Sequence, residues 1–256
     1  MNKKIEKTAL ITGASSGIGR AAAVRFSSGG YRIALVSRND SDLEETAGLI
    51  KAKGGQARVI PADLTDNRQT EQTVQKTVSY FGRLDCLVNA AGIIGSGTVE
   101  NTTPDAWDFM MNINLRSVFM LIQQCVPHLE KTRGTIVNVS SVTGIRSFPG
   151  LLTYCVSKAG VDQLTRCAAL ELAPKSIRVN AINPGVIRTN LHRRGGMDEA
   201  AYSRFLEHSK TTHPLGRVGE PEEAAELIFF LAEPSSSWIT GATIPIDGGR
   251  AQTCAR

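Results

Sequence analysis

Short β-branched apolar runs alternate along the chain with longer stretches of helical period. Residues 8–11, Thr-Ala-Leu-Ile, have the unbroken apolar character of a buried strand. Residues 17–28 suit a helix, and residues 33–36 a second strand. Ser41-Asp42-Leu43-Glu44 has the form of a capping box and predicts the start of the next helix. A short third strand at 58–60 precedes a helix over 67–80. A fourth strand at 86–88 precedes one long helical stretch from 104 to 129. Beyond it come a strand at 135–139, a helix at 152–172 and a strand at 177–182, then a late helix at 222–232 and a last strand at 242–246.

Alternation of apolar strands with helices implies an α/β fold: a single doubly wound (Rossmann) parallel sheet with helices on both faces. One dinucleotide-binding catalytic domain is expected over residues 1–256. The irregular part lies at 188–214, with paired glycines at Gly195 and Gly196, and is expected to act as a lid over a cleft. Within it, Tyr202, Phe205 and Leu206 are expected to pack a helix, and Arg188, Arg193 and Arg194 to face solvent.

Composition narrows the class. With 41% hydrophobic and 21% charged residues, the chain can bury a core and is not a disordered one. The net charge of +5 is scattered, without a Lys/Arg block interleaved with aromatics. It therefore points to an anionic cofactor or substrate and away from nucleic acid. Cys86, Cys125, Cys155, Cys167 and Cys254 are odd in number and widely spaced, so free thiols in a reducing compartment are expected. His192, His208 and His213 lack metal-ligand spacing and are expected on the lid surface, so no metal is expected. No apolar signal core follows Met1-Asn2-Lys3-Lys4, and no apolar run is long enough to span a membrane. Cys254-Ala255-Arg256 matches no lipidation or peroxisomal address. A cytoplasmic protein without membrane partners is expected.

Thr12-Gly13-Ala14-Ser15-Ser16-Gly17-Ile18-Gly19 follows the first strand and opens a helix. Glycines there let the backbone turn sharply and approach a pyrophosphate, which the helix N-terminus attracts. The spacing is Gly-x-x-x-Gly-x-Gly. Asp63-Leu64 follow the third strand, where the acid could accept from an adenine amino group. Asn89-Ala90-Ala91-Gly92 end the fourth, where small residues let a flat nucleotide lie close. Ends of parallel strands are where open α/β sheets bind ligands.

Tyr154 and Lys158 stand four apart near a helix start, so both point into the same space. A free tyrosine, with a pKa near ~10, is a poor base, and bringing it to ~7 takes roughly 4 kcal/mol. A lysine ~4 Å away at an effective dielectric of ~20 supplies on the order of that energy. Lys158 is therefore expected to do most of this tuning, helped by a cationic nicotinamide. Ser140 and Ser141 follow the fifth strand, and a serine there can hold a substrate oxygen beside the tyrosine. Asn114 lies inside the long helix, an unfavourable place for asparagine without a polar task.

Together these motifs resemble the short-chain dehydrogenase/reductase family, from Thr8 to Gly249, with Asn183-Pro184-Gly185 adding to the match. The resemblance implies a catalytic tetrad of Asn114, Ser141, Tyr154 and Lys158, the serine being chosen by its spacing to the tyrosine. It implies that Asn114 helps hold a water in a proton relay through the lysine. It also implies that Pro184 and Gly185 border the nicotinamide, and that Ile187 and Thr189 touch its carboxamide and phosphates. Pro214-Leu215-Gly216-Arg217 and Ile246-Asp247-Gly248-Gly249 resemble the bacterial-type 3-oxoacyl-carrier-protein reductase branch. That branch implies a homotetramer, although the tail from Arg250 to Arg256 departs from its pattern.

The resulting expectation is an oxidoreductase that moves a hydride between NADP(H) and a small-molecule carbonyl or secondary alcohol, with Tyr154 as general acid/base. A non-catalytic dinucleotide sensor or scaffold is the alternative, and loss of the tyrosine or lysine would mark it; both are present. NADP(H) is preferred over NAD(H) because Ser37 stands where an acid usually claims the ribose 2′-hydroxyl, and Arg38 beside it can pair with a 2′-phosphate. Asp40 and Asp42, the other acids nearby, are expected to serve the helix N-terminus.

Overall fold

A computed structural model of the chain describes residues 6–253. Seven strands follow one another as Thr8–Thr12 (β1), Arg32–Ser37 (β2), Ala57–Pro61 (β3), Cys86–Asn89 (β4), Thr135–Val139 (β5), Arg178–Pro184 (β6) and Thr243–Ile246 (β7). All pair in parallel, in the order β3-β2-β1-β4-β5-β6-β7. The order reverses between β1 and β4, and that switch point opens a crevice at the strands' carboxyl ends.

Helices cover both faces. Gly17–Ser28 (α1), Asp40–Ala52 (α2) and Pro221–Ala232 (α9) bury Phe26, Leu43, Ile50 and Ile228 against Ile11, Ile33 and Leu35. On the other face, Asn67–Phe81 (α3), Ser117–Thr132 (α5) and Leu152–Leu172 (α6) pack Val74, Leu121, Leu129 and Val161 against Leu10, Leu87 and Ile136. Leu10 and Ile11 turn to opposite faces because side chains alternate along a strand. Both faces being covered explains the unbroken apolar runs.

Two local expectations are corrected. The stretch 104–129 is not one α-helix. Pro104–Met111 (α4) passes into a π-helical turn, Asn112–Arg116, before α5 begins. The extra residue in that turn re-aims Asn114, as π turns do where a helix carries a polar task. The capping box at Ser41 does not form. Asn39 caps α2, its Oδ1 accepting from Asp42 N at 3.3 Å and from the Ser41 hydroxyl at 2.9 Å. A short asparagine just outside the helix reaches these donors first, leaving Ser41 within the first turn. Asp40 and Asp42 also lie in that turn, at its positive end.

The segment 188–214 is mostly helical: Leu191–Arg194 (α7) and Glu199–Thr212 (α8). Asp198 caps α8 through Ala201 N at 2.7 Å. Tyr202 is buried and its hydroxyl donates to Thr189 O at 2.9 Å, so an aromatic of helical spacing anchors the segment from below. Its base is stitched to the residues just before α9 by Gly219 N on Val186 O and Arg188 N on Gly219 O, both 2.9 Å. Arg188 pairs with Glu220 at 3.0 Å, Arg193 with Glu199 at 2.7 Å and Arg194 with Asp42 at 3.4 Å.

Cys86, Cys125 and Cys155 are buried free thiols and Cys167 an exposed one, while Cys254 lies outside the described residues. No described helix is long and apolar enough to cross a membrane.

Candidate active site

The crevice beside β1 and β4 holds two adjoining cavities, of about 600 Å³ and about 270 Å³. Gly13, Ser16, Gly17, Ile18, Gly19, Arg38, Ala90, Ala91 and Gly92 line the larger one, with Ser141, Tyr154, Lys158, Pro184, Gly185, Ile187 and Thr189. Ser15, Ser37, Asp63 and Leu64 line the smaller, which shares Gly13, Arg38, Ala91 and Gly92 with it. Asn89 and Asn114 line neither. Asn89 stands behind the wall, donating to Asn138 Oδ1 at 2.9 Å.

The glycine-rich turn is locked from two sides. Gly13 has φ +65°, and a Cβ there would sit 2.7 Å from Ala90 O, so only glycine fits where the turn crosses β4. A Cβ at Gly19 would collide with Gly13 O. Thr12 ties the same crossing: its hydroxyl oxygen accepts from Ala90 N at 3.0 Å and Ala91 N at 3.1 Å. At the first turn of α1, Ser16 makes no side-chain cap bond, and the helix's first N–H groups face the cavity.

At the other end, α6 projects Tyr154 and Lys158 into the larger cavity from one face. Burial pushes the Tyr154 phenol up to about 12, with the Ser141 hydroxyl pulling the other way. The lysine pull expected from the sequence is not among the causes. Lys158 Nζ lies 5.8 Å from the Tyr154 ring centre and donates instead to Val139 O at 2.9 Å. Burial also brings Lys158 down to about 8, against a raising field from Asp162. In this state the buried phenol is neutral.

Around these groups runs a buried polar frame. Asn114 Oδ1 accepts from Ile93 N at 2.9 Å, and its Nδ2 donates to Ile93 O at 2.9 Å and to Ser157 Oγ at 3.1 Å. A Cβ at Gly92 would lie 3.3 Å from Asn114 Oδ1 and 3.5 Å from Lys158 Nζ, so both polar atoms face the same small space. Ser140 Oγ donates to Lys158 O at 3.1 Å, whereas Ser141 Oγ accepts from Thr143 N at 3.1 Å and lies against the cavity. Asn183 Nδ2 spans Ser141 O at 2.9 Å and the Asp162 carboxylate at 2.9 Å. Burial raises the Asp162 carboxyl, opposed by the Ser140 and Asn183 side chains.

Several of these residues escaped sequence reasoning. Asp162 carried a usable signal, standing four residues beyond Lys158 on the same helix face. His213 carried none. It was expected at the surface, yet it is 3% exposed. Its Nε2 accepts from Val186 N at 3.1 Å while Nδ1 lies 2.7 Å from Ser209 O. The ring is therefore the neutral tautomer with its proton on Nδ1, bracing the loop that carries Gly185. His192 lies over Phe205, ring centres 4.4 Å apart, and burial lowers its pKa. Of the three lid histidines only His208 is exposed.

Residues 13–251 match the family model described as enoyl-(acyl carrier protein) reductase. A 3-oxoacyl-[acyl-carrier-protein] reductase of Thermotoga maritima is 43% identical, the match covering 95% of this chain and 97% of that one. A 2,5-dichloro-2,5-cyclohexadiene-1,4-diol dehydrogenase of Sphingobium indicum is 34% identical over 97% of both chains. A crystal structure with cofactor of a Caenorhabditis elegans short-chain dehydrogenase/reductase of unknown function superposes with a TM-score of 0.93. It is 35% identical and covers 99% of this chain and 98% of that one.

Proposed function

The chain belongs to the short-chain dehydrogenase/reductase family and is an NAD(P)-dependent oxidoreductase; from that premise we propose that Asn114, Ser141, Tyr154 and Lys158 are its working groups and that NADP(H) is its preferred cofactor. The reading rests on one observation: Ser141, Tyr154 and Lys158 share a cavity with the uncapped N-terminus of α1.

The donor set suits a dinucleotide. Glycine backbone and helix N–H groups would hold a pyrophosphate at one end, and the polar trio stands at the other. Asp63, Leu64 and Ser37 line the smaller cavity, where an adenosine end would lie. When bound, the nicotinamide supplies or accepts the hydride. The protein's part is the proton and the geometry. Tyr154, protonated in its buried setting, gives its proton to the substrate oxygen in reduction, and in oxidation its phenolate takes the proton from the alcohol. Ser141 receives a backbone N–H on its own oxygen and its hydroxyl stands beside the phenol, where it can hold the substrate oxygen. Lys158, held by Val139 O, keeps a cation behind the tyrosine, and Asn114 shapes the space beside it.

Preference for NADP(H) is supported at β2. Ser37 is uncharged, its hydroxyl turned to Asn39 O at 3.3 Å. Arg38 is exposed, lines both cavities and makes no ion pair among the described residues. We assign a small-molecule carbonyl or secondary alcohol as substrate, a homotetramer as the assembly and the cytoplasm as the location. The assembly has physical support in Phe109, Phe119, Val156 and Leu170, large apolar residues left exposed on α4, α5 and α6. The free cysteines agree with a reducing compartment.

The decisive experiment follows NADPH and NADH consumption over a panel of ketones, sugars, steroids and acyl thioesters, with Tyr154→Phe as control. Wild type should favour NADPH, and the variant should bind cofactor but turn over at under about 1% of the wild-type rate. Substantial turnover by the variant would overturn the tyrosine assignment, and a wild-type preference for NADH would overturn the cofactor assignment.

A further inference from the structure

The larger cavity contains a cation that the proposed chemistry does not use. Arg250, beyond β7, lines it together with Phe148, Leu151, Phe205 and Thr212. Unlike Arg38 and Arg194, which line both cavities, Arg250 lines only the larger one, beside Phe148. No aspartate or glutamate among the described residues lines the larger cavity.

Arg250 differs from Arg188, Arg193 and Arg194, each of which has a carboxylate partner. It has no such partner within 4.0 Å among the described residues. Its guanidinium carbon lies 5.3 Å from the Phe148 ring centre, and Nη1 donates to Thr212 O at 3.1 Å. Those two contacts fix the plane of the guanidinium and leave Nε and Nη2 without a described partner. The nearest acid in sequence, Asp247, is engaged elsewhere: Oδ1 accepts from Gly249 N at 3.0 Å and Oδ2 from Ala251 N at 2.6 Å.

We propose that Arg250 binds the carboxylate of the substrate, so that the enzyme acts on oxo acids and their hydroxy-acid counterparts rather than on neutral carbonyls. The inference rests on the hydride-transfer reading above and specifies its substrate. Adjacent Nε and Nη2 donors match the two oxygens of a carboxylate. A fixed guanidinium loses little conformational freedom on pairing. The aromatic and aliphatic walls at Phe148, Leu151 and Phe205 suit an apolar body between the carboxylate and the reacting carbonyl.

The test compares 4-oxo-4-phenylbutanoate with its methyl ester as substrates with NADPH. Wild type should show a kcat/KM for the acid roughly tenfold or more above that for the ester. Arg250→Met should remove most of that ratio, and Arg250→Lys should keep part of it. A purely structural role for Arg250 would lower acid and ester alike and leave the ratio unchanged, which overturns the proposal. So does a wild-type enzyme that reduces both equally.

A second measurement needs no turnover. Binding of 4-phenylbutanoate, which has no carbonyl to reduce, is read from the fluorescence of enzyme-bound NADPH. It should saturate in wild type and be lost in Arg250→Met; absence of binding to wild type counts against the proposal. If the hydride-transfer reading alone were wrong, neither oxo compound would be reduced while the carboxylate still bound. If only the carboxylate inference were wrong, the ester would be reduced and the carboxylate would not bind.

Discussion

Asn114 meets the backbone of Ile93 twice, accepting from its N–H and donating to its carbonyl, both at 2.9 Å. The side chain behaves as one rung of a sheet ladder, holding the chain just beyond Gly92 at a set distance from α6. The π turn makes this reach possible by re-aiming the residue out of the helix barrel.

Asn114→Ala should therefore cost about 1–3 kcal/mol of stability, because the backbone groups of Ile93 lose their partners. Turnover should fall as well, since Gly92 and Lys158 share the space that Asn114 shapes. Asn114→Asp retains the acceptor but places a second acceptor against Ile93 O, and should rescue neither property. Urea unfolding and steady-state rates on the same preparations check both effects.

Ser140 and Ser141 are adjacent yet should separate stability from rate. Ser140 is buried and holds Lys158 O, so Ser140→Ala should cost about 1 kcal/mol with a modest loss of rate. Ser141→Ala should lower kcat/KM by roughly 10²-fold or more while Tm moves little, the loss expected when a donor to a reacting oxygen is removed. The opposite order of rate effects would place the working serine one residue earlier.

The depressed pKa of Lys158 makes stability depend on pH in a defined sense. Its native pKa is about 8 against an ordinary value of 10.5. Between those values the unfolded chain binds a proton that the native state has released. The lysine thus makes stability rise with pH across this window, because a buried charge is relieved on deprotonation. The raised Tyr154, at about 12 against 10.0, acts in the other direction above pH 10, where the unfolded phenol ionises first. Cofactor-free wild type and Lys158→Met, compared by Tm between pH 7 and 10, should differ by a gap that narrows as pH rises if the methionine variant starts the more stable. A gap independent of pH would show that the ammonium is not strained by burial.

Arg194, which lines the smaller cavity, and Asp42 join α7 to the start of α2 at 3.4 Å. The arginine side chain is 55% exposed, so the pair should add less than about 1 kcal/mol to folding. Arg194 lines both cavities, however, and can add a second cation for a 2′-phosphate. Arg194→Ala should leave Tm nearly unchanged and weaken NADPH binding by roughly fivefold, with a smaller effect on NADH. Fluorescence titration with both cofactors distinguishes this from a general loosening of the lid, which would weaken both equally.

Much of the architecture was legible because period and position along one element carry it. The limits of α1 and α6 could be read directly, and Tyr154 and Lys158 on α6 are a spacing of four that any helix turns to one side. The glycine-rich turn was legible for the same reason, since strand, turn and helix follow one another in the chain. Misread features depended on competition between neighbours, as where Asn39 displaces Ser41 as the cap. Others arise from small departures in helical winding, as at Asn114.

The sequence by itself determined the parallel alternating fold, the glycine turn and the tyrosine–lysine pair, because each follows from local periodicity and the covalent order of residues. Only the tertiary structure decided how those groups are charged and what surrounds them. It put Lys158 on Val139 O and left Tyr154 a buried neutral acid. It drew Asp162 and Asn183 together from two elements, turned His213 inward against Val186, and set Arg250 in a cavity lined by no aspartate or glutamate among the described residues. Desolvation and through-space partners set these properties, and both depend on which distant segments pack against a residue.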